Sequence, residues 1–303
     1  MNLLSSTTAF SLTHARKRLR ASVNGAAPAS PPRRALLKGT MSALALGGCT
    51  SMLLSACGGE YTGGDGEQDA PTPVLNSVTN FRDVGGAAPG YSTSDGAHVR
   101  RAWIYRSDVL TPNAADMATL ERMALASVYD LRTPAEIDST LNTVAGTANY
   151  LALNVLGALA PPSFAGMQAA QLDAAMQTYW SEFVTGRTQC SAYGALLQHI
   201  ADASGPQLIC GGTGVDAVGW AGALLLLIAN VPLEIVVKDF QLTNAWRSQG
   251  ADADNVAPPV QPSYLQAAFD ALQSRYGDLN RYLTVGLGLA SATVDRLRGQ
   301  LVV

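Results

Sequence analysis

The chain is poor in the side chains that hold metals. It has three histidines (His14, His98 and His199) and four cysteines (Cys49, Cys57, Cys190 and Cys210). No pair of them has the spacing of a zinc site, so no metal is expected, and no cofactor either. Charge is scarce as well. Asp, Glu, Lys and Arg make up 14% of the residues against 48% hydrophobic ones, which excludes a disordered chain and indicates a well-buried core. The net charge of −3 hides an asymmetry. Residues 1–57 carry Arg16, Lys17, Arg18, Arg20, Arg33, Arg34 and Lys38 and no acidic residue. The remainder has 13 basic and 23 acidic residues, a net of −10. A body of that sign argues against a nucleic-acid partner.

The basic segment has the order of an export signal. The run P-R-R-A-L-L-K from Pro32 to Lys38 sets a twin arginine before an apolar stretch from about Ser42 to Ala56. The stretch ends in L-S-A-C-G-G, Leu54 to Gly59, which resembles the bacterial lipobox, with Cys57 as the residue that takes the lipid. Leu46 to Cys49 is a weaker second candidate, and an uncleaved membrane anchor is the competing reading. Residues 1–57 are therefore expected to be a twin-arginine-type lipoprotein signal peptide and 58–73 a flexible Gly/Asp/Thr/Pro tether. Residues 74–303 would form the folded domain, held to the membrane of the cell envelope through the lipid, on the periplasmic side or at the outer membrane. In that oxidising setting Cys190 and Cys210 could pair; sequence does not give their separation.

Strands and helices alternate along the body. His98–Arg106 and Ser127–Arg132 read as strands, and a helix starts near Thr111, its expected N-cap, with Pro112 at the first helical position. After a loop with Pro161 and Pro162, the pattern Met167, Leu172, Met176, Tyr179, Trp180, Phe183 is helical. Residues 156–190 thus read as a helical insertion or lid. Further helices are predicted over Tyr193–Ala203, Leu233–Asn244, Tyr264–Tyr276 and Ser291–Leu301. The pattern is that of an α/β fold with a mostly parallel central sheet flanked by helices.

The stretch from Leu208 to Trp220, L-I-C-G-G-T-G-V-D-A-V-G-W, is a strand end, a glycine-rich turn and the start of an apolar helix running to Ile228. Such a turn gathers backbone N–H groups at a helix N-terminus and suits an anion. The anion-binding residues would be Gly211, Gly212, Thr213, Gly214, Val215, Asp216 and Ala217. The same glycines loosely fit a dinucleotide fingerprint, but no acidic residue closes a second strand at the expected distance.

Six stretches decide which cradle this is: N-F-R-D-V-G-G (Asn80–Gly86), Y-R-S (Tyr105–Ser107), Y-D-L-R (Tyr129–Arg132), G-V-D-A-V-G-W (Gly214–Trp220), K-D-F-Q-L-T-N (Lys238–Asn244) and Y-L-T-V-G-L-G-L (Tyr282–Leu289). In this order, over nearly all of 76–301, they resemble the bacterial protein-tyrosine and phosphoinositide phosphatases of the cysteine-dependent superfamily. The resemblance implies a three-layer-like tyrosine-phosphatase fold and a loop of pattern H-C-x-x-G-K-D-R-T-G. In that loop a cysteine thiolate attacks phosphorus and an arginine grips the phosphoryl oxygens. Here the histidine position is Cys210, the cysteine position Gly211, the lysine position Val215, the arginine position Ala217 and the threonine position Val218. Nucleophile and clamp are missing. If Cys210 were the nucleophile, the arginine position would fall on Asp216. The expectation is a pseudophosphatase, with Asp216 and Asp130 as remnants of acid catalysis or loop support, and with phosphate or a phosphorylated ligand as its partner. The competing reading is an active phosphatase built on other residues, for which Arg82, Arg106, Arg132, Asp83 and Asp130 are available.

Overall fold

The computed structural model describes residues 69–163, 165–247 and 259–303. The signal segment, Cys57 and most of the tether lie outside the described residues. The body is a five-stranded sheet in the order β1 (Arg82–Asp83), β2 (Ile104–Ser107), β5 (Gln207–Cys210), β3 (Ser127–Asp130) and β4 (Asn149–Ala152). Only β1 runs antiparallel to its neighbour; β2, β5, β3 and β4 are parallel. The α/β class and the mostly parallel sheet are as the sequence predicts.

Strand β5 lies at the centre, and its side chains divide the interior. Leu208 and Cys210 enter one apolar cluster with Tyr105, Val128, Leu110, Leu120 and Met123. Ile209 enters the other, with Ile104, Tyr129 and Leu131. Alternation along a strand sends neighbours to opposite faces, so these are the two sides of the sheet. A parallel sheet needs both faces covered, and all four residues of β5 are buried. Helix α1 (Ala114–Arg122) covers the first face through Leu120.

The second face carries most of the helices: α3 (Ala169–Thr185), α4 (Arg187–Asp202), α5 (Ala217–Ile228), α6 (Leu233–Arg247), α7 (Pro262–Tyr276) and α9 (Ser291–Leu301). A short α2 (Pro134–Ser139) follows β3, and a three-residue α8 (Leu279–Arg281) leads into a π-helical turn, Tyr282–Gly286. Helix α5, A-V-G-W-A-G-A-L-L-L-L-I, is apolar around its whole circumference and is buried on nearly all of it, as such a sequence requires. The helical segment expected over 156–190 is α3 and the start of α4. Its apolar stripe, Leu172, Met176, Tyr179, Trp180, Phe183 and Val184, packs against α7 and seals the core. Trp180 meets Phe183 and Phe240 edge-on, with centroids 5.4 and 5.0 Å away.

Three local expectations change. The strand predicted over His98–Arg106 forms only at Ile104–Ser107. His98 and Val99 make isolated bridges to Ser92 and Val302 instead. The cap of α1 is Asn113 and not Thr111: its side chain accepts from the N–H of Asp116 at 2.9 Å. The polar, glycine-rich run Asn80–Gly86, whose composition is that of a turn, contains β1 itself.

Candidate functional site

The loop Gly211–Asp216 leaves the carboxyl end of β5 and turns into α5. It forms one wall of a cavity of about 100 Å3. The other walls follow the neighbouring parallel strands: Leu131, Arg132 and Glu136 after β3, and Leu156 and Pro161 after β4. Tyr179 of α3 completes the lining. Crevices outside the carboxyl ends of parallel strands are where open α/β sheets bind ligands. All seven residues expected to form the anion loop, Gly211 to Ala217, line this cavity.

The shape of the loop is set from below by charged residues. Gly214 has φ +61°, and a Cβ there would lie 2.8 Å from both Asn80 Nδ2 and the Ser107 carbonyl. The Gly214 carbonyl accepts from Asn80 Nδ2 and from Arg106 Nη2, each at 2.8 Å. Arg106 reaches it past α5 at Gly222, where a Cβ would lie 2.8 Å from Arg106 Nη1. Asp239 of α6 stands 3.5 Å from each of Arg106 and Arg82 and accepts from the Tyr91 hydroxyl at 3.2 Å. Arg82 also donates to Thr243 Oγ1. Burial, with Arg82 close by, pulls the Arg106 guanidinium down to about 9. Two buried arginines are thus held by one buried carboxylate, Arg106 also by the Gly214 carbonyl. They support the loop from within the protein and do not line the cavity.

Asp130 and Arg132 have a similar role. Asp130 is wholly buried and accepts from Arg132 Nε (2.9 Å) and Nη2 (2.7 Å), from Asn142 Nδ2 (2.7 Å) and from the Tyr150 hydroxyl (2.6 Å). Arg132 spends Nη1 on the carbonyls of Glu136 and Thr140. Asp130 lies outside the cavity lining, in a saturated network that fixes the loop after β3. Asp83 accepts backbone N–H groups from Gly85 and Ala102 and braces the β1 turn.

The catalytic positions of the loop are occupied by small residues. Gly211 packs so closely against α5 that a Cβ would meet Val218 Cγ2 at 2.8 Å. Ala217, the first residue of α5, faces the cavity without a polar group. Cys210 points to the opposite face of the sheet. It is fully buried, its Sγ accepts from Asn142 Nδ2 at 3.3 Å, and burial together with Asp130 pushes the thiol well above its usual range. Cys190 lies in the other apolar cluster, and both thiols are free. The two cysteines do not pair.

Two lining residues carry weight that the sequence reading did not assign them. Glu136 belongs to a capping box: its Oε2 accepts from the Thr133 N–H at 2.8 Å while the Thr133 hydroxyl accepts from the Glu136 N–H. Its Oε1 lies 2.9 Å from where a Gly212 Cβ would be, against the loop. The signal was present as T-P-A-E directly after the strand Y-D-L-R. Tyr179 is 4% exposed; its hydroxyl has no hydrogen-bond partner among the described residues and is not fully enclosed, so water in the cavity reaches it. Burial raises its pKa far above the ordinary value, and Asp216 and Glu136 add to the rise.

A model of the tyrosine phosphatase family matches residues 73–303. No curated protein matches the chain. With three quarters of its length matched, the chain belongs to the tyrosine phosphatase family.

Proposed function

We propose that this family member is a pseudophosphatase, exported and lipid-anchored at Cys57 in the bacterial cell envelope, whose loop performs no phosphoryl transfer. One observation carries the reading: the cavity presents Gly211 and Ala217 where the family's chemistry needs a thiolate and a guanidinium. Neither side chain has a reactive atom, and the nearest thiol in sequence, Cys210, faces away. The competing reading, catalysis by other residues, finds Arg82 and Arg106 committed to Asp239 and Arg132 to Asp130.

What persists is the cradle. The backbone N–H groups of Gly212, Thr213 and Val215 have no hydrogen-bond partner among the described residues, and the N-terminus of α5 favours negative charge. Against this, loss of a bidentate arginine removes roughly 2–4 kcal/mol of phosphate affinity. Glu136 and Asp216 line the same cavity with negative charge. A phosphate or a phosphorylated ligand is therefore held weakly.

The purified protein is expected to turn over neither aryl phosphates nor phosphoinositides above a heat-killed control. Stoichiometric, repeated hydrolysis that survives Cys210→Ser would reveal another nucleophile and end the pseudophosphatase reading.

A further inference from the structure

Strand β4 is an open edge of the sheet, and it carries none of the devices that protect such an edge. Asn149 and Leu153 donate their N–H groups inward, to Ala126 at 2.9 Å and to Asp130 at 2.7 Å. Backbone groups of successive strand residues point to alternate sides, so those of Tyr150 and Ala152 face away from β3. No further strand pairs there among the described residues. Open edges are usually guarded by charge, proline or a bulge. From Gly146 to Asn154 there is no charge and no proline, and the register with β3 is regular. The surface at this edge is also apolar. Tyr150 is 38% exposed and Leu141 69%. Asn142 and Tyr150 bond the same Asp130 oxygen, which brings Leu141 beside the strand.

Charge decides the occupant. The body has one charged residue in about seven, yet residues 139–172 have none. With its net of −10, the body draws a basic partner to its acidic faces and repels a second copy of itself everywhere but on a neutral face. We infer that β4 pairs antiparallel with β4 of a second copy of this chain, across a two-fold axis at Leu151. In that register Tyr150 of each copy faces Ala152 of the other, and each such pair exchanges both of its N–H···O bonds. The two Leu151 side chains, which pack on the helix-bearing side of the sheet, then meet at the axis as a non-hydrogen-bonded pair, where side chains lie closest. A lipid surface does not serve the same edge, because hydrocarbon offers no acceptor to the Tyr150 and Ala152 N–H groups. The pairing is independent of the cavity and of whether the loop is catalytic.

The test is sedimentation velocity of the full chain in a density-matched detergent, over a range of protein and salt concentrations. A dimer that tightens as salt screens the net charge is the expected result. Ala152→Pro removes an outward N–H without touching the β3 ladder, and Ala152→Lys sets like charges near the axis. Each should weaken the dimer by roughly tenfold or more. Both variants should keep the far-ultraviolet circular dichroism of the unaltered chain, which separates lost pairing from lost folding. Val285→Lys, at an exposed valine of the π-helical turn, should leave the dimer unchanged. A monomer under every condition overturns the inference, as does a dimer that Ala152→Pro and Ala152→Lys leave intact.

Discussion

At the residue scale, the loop is a case of support without chemistry. Asn80 and Arg106 hold the Gly214 carbonyl and Asp239 holds Arg106, while the reactive positions hold glycine and alanine. Gly214→Ala is expected to cost roughly 2–4 kcal/mol, because it combines a left-handed φ with contacts to Asn80 and Ser107 that a methyl cannot share. A lowered urea midpoint would register it. Asp239→Ala should cost roughly 3–5 kcal/mol, since it leaves two buried guanidinium groups without their carboxylate. Restoring activity is a packing problem as much as a chemical one. Gly211→Cys with Ala217→Arg supplies both reactive groups, but the new Cβ collides with Val218. Adding Val218→Thr gives the loop the family's hydroxyl at that position. The triple variant is therefore expected to hydrolyse an aryl phosphate measurably better than the double one, in a continuous chromogenic assay.

At the scale of elements, what the sequence made legible depended on periodicity. Helix α9 has the predicted bounds, and α5 ends at the predicted Ile228, because long apolar patterns at helical spacing declare themselves. Strand β4, N-Y-L-A, was not foreseen: it is an edge strand, largely exposed, with no alternating apolar signal, and it exists by pairing with β3. The six family stretches located the site, yet the cavity's Glu136 and Tyr179 were invisible as a pair, since 43 positions and a change of layer separate them. The start of α1 was misplaced because Thr111-Pro112 imitates a cap, whereas Asn113 supplies the oxygen. Asn113→Ala should therefore lower stability by about 1 kcal/mol, and Thr111→Ala by much less, in parallel thermal melts.

At the scale of the whole molecule, two acids, the buried Asp83 and the half-buried Asp108, set a pH dependence. Burial raises Asp83 to about 6 and Asp108 to about 7, against an ordinary value of 3.8. Each binds a proton more tightly folded than unfolded. Their contribution to stability is therefore full below about pH 4 and is lost as the pH rises through 6 and 7. Tm is expected to climb as the pH falls from 8 to 5, and Asp108→Asn to flatten that slope; an unchanged slope would exclude Asp108 as a source. Among the described residues no helix is long and apolar enough to cross a membrane. The proposed anchoring at Cys57 has a test of its own: Cys57→Ser should abolish labelling by a radioactive fatty acid and leave the protein in the soluble fraction of the envelope.

The two unpaired thiols impose an order of events. Cys190 and Cys210 are 20 positions apart in the chain, and the fold keeps them in apolar clusters on opposite sides of the sheet. An unfolded chain has no such partition. Oxidant that reaches it first can close a short loop between them, and that covalent link is incompatible with β5 passing through the sheet. Wherever the chain meets an oxidant, folding has to come first, because the finished sheet is the barrier that keeps these two sulfurs apart.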